Sequence, residues 1–146
     1  MKAILTRRAA PAWLLAVAAL GAAWNLFGVV QLYDFVAQTR ESLMMKGMSP
    51  SAAELYYGLP GWMKVAFAVG SIGGLAGSVA LIARPAAATP ILAVSLVGYV
   101  ALFAGDLSYG VFDVIEGQIV ILSTVLAIAA GLLAVALVAP HLRAMR

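Results

Sequence analysis

Asp34, Lys64 and Asp106 stand at the ends of long apolar runs, with Tyr109 close to the last, and Asn25 lies deep inside another run. Carboxylates beside a lysine can form ion pairs or line a polar vestibule, and an amide inside an apolar run must find a hydrogen-bond partner. No catalytic pattern accompanies them. The chain has no cysteine, which excludes thiol catalysis and thiolate metal sites. The one histidine, His141, lies past the last expected span, so a bis-histidine haem inside the spans is excluded. No two His or carboxylate residues sit at i, i+3 or i+4 within a run, which removes the Glu-x-x-His type of di-metal site. No nucleophile is placed beside a base. The expectation is a protein that is not an enzyme and carries no cofactor or metal.

The elements that must position these groups follow from composition. Apolar residues make up 64% of the 146 and charged residues 10%, against about 25% charged in an ordinary soluble domain. A chain this short cannot hide so much apolar surface in one water-soluble core. That argues against a soluble enzyme and against a nucleic-acid partner, for which no basic stripe with interleaved aromatics exists either. Four charge-free stretches, 9–33, 65–83, 85–105 and 117–142, carry the apolar content. Each approaches or exceeds the ~20 residues that cross the hydrocarbon core as a helix. Barrel strands would instead alternate polar and apolar residues. The expectation is an all-α integral membrane four-helix bundle in one domain, with spans near 11–36, 62–83, 89–109 and 117–139 and an outer loop over 37–61. None of the six prolines falls in mid-span, as helices require. Lys2, Arg7 and Arg8 ahead of an apolar run have the look of a signal peptide. The run continues through Val30 without a polar break, so it is read as a retained span.

With four spans both chain ends lie on one side. Lys2, Arg7, Arg8, Arg84, Arg143 and Arg146 fall there without an acid, while Arg40, Lys46 and Lys64 share the other side with all six acids. Six basic residues against three put both termini in the cytoplasm. The outer loop is long for a bundle, where about two to eight residues is usual. Gly47 reads as a helix stop, and Ser49-Pro50-Ser51-Ala52-Ala53-Glu54 as a new helix start in which Ser51 and Glu54 fit a capping box. With Tyr56, Tyr57 and Trp62 close by, this predicts a short interfacial helix, serving as a lid or as a surface for a ligand or partner. Lys64 is expected to pair with Asp34 or Asp106 and tie the first three spans together, as an ion-pair belt or as the rim of an outward-facing vestibule.

Small residues show a pattern of their own. Gly70/Gly74 and Gly73/Gly77 are overlapping G-x-x-x-G pairs in the second span, a stripe that lets a neighbouring backbone come close. The neighbour is either in the same chain or in another subunit. In the first span Gly21, Asn25 and Gly28 share a face. Asn25 is expected to face the bundle, with Ser71, Ser95 and Tyr99 as partners in an interhelix contact or as the lining of a polar path. Proton-coupled carriers commonly place a carboxylate at this depth. The small four-helix multidrug exporters need a glutamate in their first span, and Asn25 does not supply that chemistry.

Trp24-Asn25-Leu26-Phe27-Gly28-Val29, then Leu59-Pro60-Gly61-Trp62 before Ala66-Phe67-Ala68, then Gly73 to Leu81 and the later Ser95-Leu96 resemble a family of small bacterial four-helix membrane proteins. Its members mostly lack an assigned function and are sometimes labelled "sugar transporter". The resemblance covers most of the chain through Tyr99, and Trp-Asn-Leu-x-Gly-Val is its most specific motif. It implies the four-helix fold and a place in the bacterial inner membrane. The proline–glutamine motif of small sugar-transporting bundles is absent, since no proline here precedes glutamine. No internal repeat of the carrier type is evident either.

Two functions fit these residues. One is a structural or accessory membrane protein that acts by helix packing, with the bilayer, another membrane protein or a second copy of itself as partner. The other is a small-solute carrier or channel, with sugar as one candidate solute, whose path passes Asn25. The topology itself is testable: reporter fusions at Met48 and Arg146 are expected to report opposite sides of the membrane, with Arg146 cytoplasmic.

Overall fold

The computed structural model describes residues 10–144, with side chains through residue 140. Lys2, Arg7, Arg8 and Arg146 of the charge bias lie outside it, and of His141 and Arg143 only the backbone is described. The chain is an all-helical membrane four-helix bundle. Its long helices are α1 (Ala12–Ala37), α4 (Gly61–Ala83), α5 (Pro85–Ser108) and α7 (Gln118–Ala144), each apolar and long enough to cross a bilayer. Three short helices, α2 (Arg40–Met45), α3 (Pro50–Tyr57) and α6 (Val111–Val114), all lie at one end, the loop face. The start of α1 and the end of α7 mark the opposite, terminal face.

The outer loop holds two short helices because its caps are local. Thr39 and Ser42 exchange side-chain and backbone hydrogen bonds, Thr39 N donating to Ser42 Oγ at 2.9 Å and Ser42 N to Thr39 Oγ1 at 3.1 Å. This box starts α2 and breaks the path from α1. Gly47, at φ 94°, ends α2 in the left-handed region that glycine tolerates. The cap of α3 is Ser49, which accepts from Ala52 N at 3.2 Å, with Pro50 in the first turn. The Ser51–Glu54 capping box expected from the sequence does not form. Glu54 turns instead to Arg40, whose Nε lies 2.6 Å from Oε2, and so ties α3 to α2. Lys46, just past α2, pairs with Asp34 at the end of α1. The two short helices are thus fastened to each other and to the bundle.

A single residue, Arg84, links α4 to α5. It forces them into an antiparallel hairpin, and they form the central pair of the bundle. The third span begins a full turn earlier than the expected residue 89, with Pro85 in its first turn, so Pro90 lies inside the helix. Pro90 cannot donate to the Ala86 carbonyl. Both residues are exposed near the terminal face, so that carbonyl is not sealed in protein. Pro140 likewise lies within α7, which runs past the expected end at 139.

The small residues of α4 serve two neighbours. Gly74 faces α1, where the Asn25 side chain fills the place of a Cβ. On either side of it, Ser78 meets Gly21 and Ser71 meets Gly28. Gly70, Gly73 and Gly77 face α5, where Tyr99, Ser95 and Leu92 fill the space. The tightest backbone approach comes from α5, at a glycine outside the G-x-x-x-G pairs. A Cβ on Gly98 would lie 2.8 Å from the Ala66 carbonyl oxygen and 2.8 Å from Gly70 N. The terminal half of the core is small and aliphatic, built on Ala18, Ala80, Leu81, Ala88, Leu92, Leu132 and Ala136. The loop half is bulkier, with Phe35, Leu59, Met63, Leu102, Val111 and Leu122 packed beside Tyr56, Phe67, Phe103 and Phe112.

This packing predicts a contrast within one residue type. Gly98→Ala presses a methyl group onto backbone atoms that cannot rotate away, and overpacking of this kind costs about 1–3 kcal/mol. Gly131 on α7 has nothing within 4 Å of its would-be Cβ, so Gly131→Ala is expected to be neutral or stabilising. Thermal unfolding of both variants in detergent measures the difference.

Candidate functional site

Helix α1 leans on α4, and α7 leans on α5, but α1 and α7 scarcely meet. In the loop half this leaves a cavity of about 250 Å³. One stripe of α1 lines it, with Trp24, Phe27, Gly28, Gln31, Asp34 and Phe35 at helical spacing, followed by Gln38 just past the helix. Gln118, Ile121, Leu122 and Val125 of α7 stand opposite. Phe67 of α4 and Tyr99, Leu102 and Asp106 of α5 form the back, and Leu43, Lys46, Met48 and Tyr56 border the cavity at the loop face. The site is an aromatic and aliphatic chamber with a few amides and carboxylates, the usual composition of a small-molecule pocket.

Asp106 is the outlier in this chamber. It is 2% exposed, and among the described residues it is the only charged one so deeply buried. Gln118 Nε2 donates to its Oδ2 at 2.9 Å. No cation pairs with it among the described residues, where the ion pairs are Arg40–Glu54 and Lys46–Asp34. A buried carboxylate without a counter-charge is costly, and one hydrogen bond from an amide compensates only part of that. The field reaches the lid as well. Burial first, and then the negative charges of Asp106 and Asp34, hold the Tyr56 phenol well above its ordinary pKa range.

The charge cluster expected at this level is rearranged. Asp34 pairs with Lys46 rather than Lys64. Lys64 Nζ lies 5.7 Å above the centroid of the Phe35 ring, a buried ring packed on Tyr56 and Phe67. Lys46 reaches Asp34 because the chain folds back after α2. Asp106 turns to Gln118, not to a lysine.

The floor of the cavity is a polar layer at mid-depth. Tyr99 Oη donates to Asn25 Oδ1 at 3.2 Å, and Asn25 Nδ2 donates to the Gly21 carbonyl at 2.8 Å. Ser95 Oγ donates across to the Gly70 carbonyl at 2.6 Å. Ser71 turns to its own helix, donating to the Phe67 carbonyl at 2.8 Å. Of the four polar residues singled out in the sequence, three sit in interhelix bonds and one bonds locally. Tyr99 alone of them lines the cavity. Between Trp24, Asn25, Gly74, Ser95 and Tyr99 there is no room for a water molecule, so the polar space ends at this layer. Sequence reasoning missed Gln31 and Gln118. Gln31 lies one turn before Asp34 on the same stripe, a signal hidden by attention to charge. Gln118 meets Asp106 only through the tertiary fold.

No protein family, curated protein or solved structure matches the chain, so the reading of the site rests on its geometry.

The floor yields a second prediction. Tyr99→Phe leaves Asn25 Oδ1 without its donor at buried depth. A double-mutant cycle of Tyr99→Phe with Asn25→Leu, read by thermal unfolding in detergent, is expected to give a coupling of about 0.6 kcal/mol and below ~2 kcal/mol. No measurable coupling would place the two side chains apart.

Proposed function

We propose that this chain is a small-solute carrier of the bacterial inner membrane, in a state whose binding cavity faces the periplasm. The observation that carries the reading is the cavity itself: about 250 Å³ in the loop half, lined by amides, aromatics and a buried carboxylate, and stopped at mid-depth. A chamber that admits a solute from one face and is closed to the other matches one state of an alternating-access carrier. A standing channel would need room for water past Asn25 and Tyr99. The orientation is supported by the basic bias of the terminal face.

The accessory reading draws on the glycine stripe as a dock for another membrane protein or a second copy. The geometry gives it less support, because Gly70, Gly73, Gly74 and Gly77 are each occupied by side chains of the same chain. The lipid-facing surface is otherwise broadly apolar, as any bundle in a bilayer requires.

The absence of native cysteine permits a direct test by single-cysteine labelling with a charged thiol reagent. Gln31→Cys is expected to react rapidly from the periplasmic side. Ala18→Cys, in the dry terminal-half core, is expected to react slowly and only from the cytoplasmic side, when the bundle opens there. An inert Gln31→Cys would overturn the cavity as an access site. An inert Ala18→Cys would overturn carriage.

A further inference from the structure

We infer that the solute taken by this cavity carries a compact, singly charged ammonium group, seated between Asp106 and the aromatic walls. The inference rests on the reading of the cavity as a binding site and names its ligand class.

Charge is the first argument. Two carboxylates and one cation line the cavity. The cation, Lys46, is consumed by Asp34 at the top, which leaves Asp106 uncompensated. Asp106 is 98% buried, and its second oxygen accepts no hydrogen bond among the described residues. An anionic ligand would meet this carboxylate with no free lysine or arginine to hold it. A neutral ligand would leave the buried charge unpaired or neutralised only by a proton. A monocation cancels it.

The walls are the second argument. Trp24, Phe35, Phe67 and Tyr99 line the same space, and aromatic faces attract alkylated ammonium groups strongly when water is excluded. A bare metal ion fits less well. It needs several oxygen or nitrogen ligands, and no three His, Asp or Glu residues come together among the described residues. Aromatic rings and one carboxylate suit an organic cation, whose charge is spread over carbon.

Phe27 and Ile121 flank the cavity and are more than half exposed, at 58% and 59%. The gap between α1 and α7 therefore faces the surrounding medium as well as the lid. The ammonium group can arrive on a water-soluble amine or on a lipid headgroup, and the chemistry of recognition is the same.

The test uses the purified full chain in phosphatidylglycerol nanodiscs, titrated calorimetrically with tetramethylammonium, choline and 3,3-dimethylbutan-1-ol, the uncharged carbon analogue of choline. The cations are expected to bind saturably, and the neutral analogue at least about tenfold more weakly. Asp106→Asn retains the side-chain volume and an oxygen for Gln118, and it is expected to abolish the preference for charge. Should that variant fail to fold, the comparison of choline with its neutral analogue decides alone. Equal binding of choline and its analogue, or no binding of either cation, overturns the inference. The carrier reading survives that result if Gln31→Cys and Ala18→Cys still react as expected, and falls separately if they do not. Exchange of the lipid for phosphatidylcholine separates the sources. A weakening of choline binding by about tenfold or more assigns the group to a competing lipid headgroup, and unchanged binding assigns it to a soluble amine.

Discussion

The close approach of α4 and α5 determines the rest of the bundle. A one-residue link holds the two helices side by side, and Gly98 lets their backbones touch. Inside lipid no hydrophobic effect draws helices together, so contact of this kind depends on packing and hydrogen bonds. With the centre so narrow, α1 and α7 must attach to opposite flanks. Each finds its place through small residues or complementary side chains, and neither reaches across to the other over its full length. The cavity is the space this arrangement leaves open. It exists because the central pair is tight and the outer helices are separated by it.

The same geometry sorts polarity along the bundle axis. In the terminal half the core side chains are alanines and leucines packed on one another. In the middle, hydroxyls and one amide satisfy each other or a carbonyl, and the layer is sealed. In the loop half the core side chains are large and aromatic, and large side chains on separated helices leave irregular space that polar groups can share. Asp106 belongs to this region. Gln118 holds one of its oxygens but does not neutralise it.

Much of the fold was legible because membrane helices announce themselves. Continuous apolar runs, a glycine stripe and Asn25 on the Gly21–Gly28 face all correspond to features with local causes. The outer loop was legible only in outline. Gly47 ended a helix as expected, yet the choice between Ser49 and Ser51 as the cap turned on where Glu54 would go, and Arg40 took it. A span starting near residue 89 would leave Pro90 in its first turn, where proline is usual; the alanines before it instead form a turn of their own, since the missing hydrogen bond falls on an exposed face. The site was less legible still. Lys64 and Lys46 are equivalent in type, and only the folded loop brings Lys46 to Asp34 while Lys64 lies over the ring of Phe35. Gln31 and Gln118 carry no charge and no motif, and acquire meaning only when α1 and α7 face each other.

The bond from Asn25 Nδ2 to the carbonyl of Gly21, one turn back in the same helix, has a consequence for how the protein is made. Helix α1 leaves the ribosome first, but the residue that receives its amide, Gly74, follows about fifty residues later. During that interval the first span must rest in the bilayer without its neighbour, and an unsatisfied amide there would favour slipping back to water. The local bond occupies one N–H of the amide before α4 or α5 exists. The acceptor waits, and the Tyr99 hydroxyl meets it when the third span is inserted. Asn25 thus acts first as a tolerable passenger in a lone helix and later as a cross-tie, which allows a polar group to be buried at mid-depth in a protein assembled one span at a time.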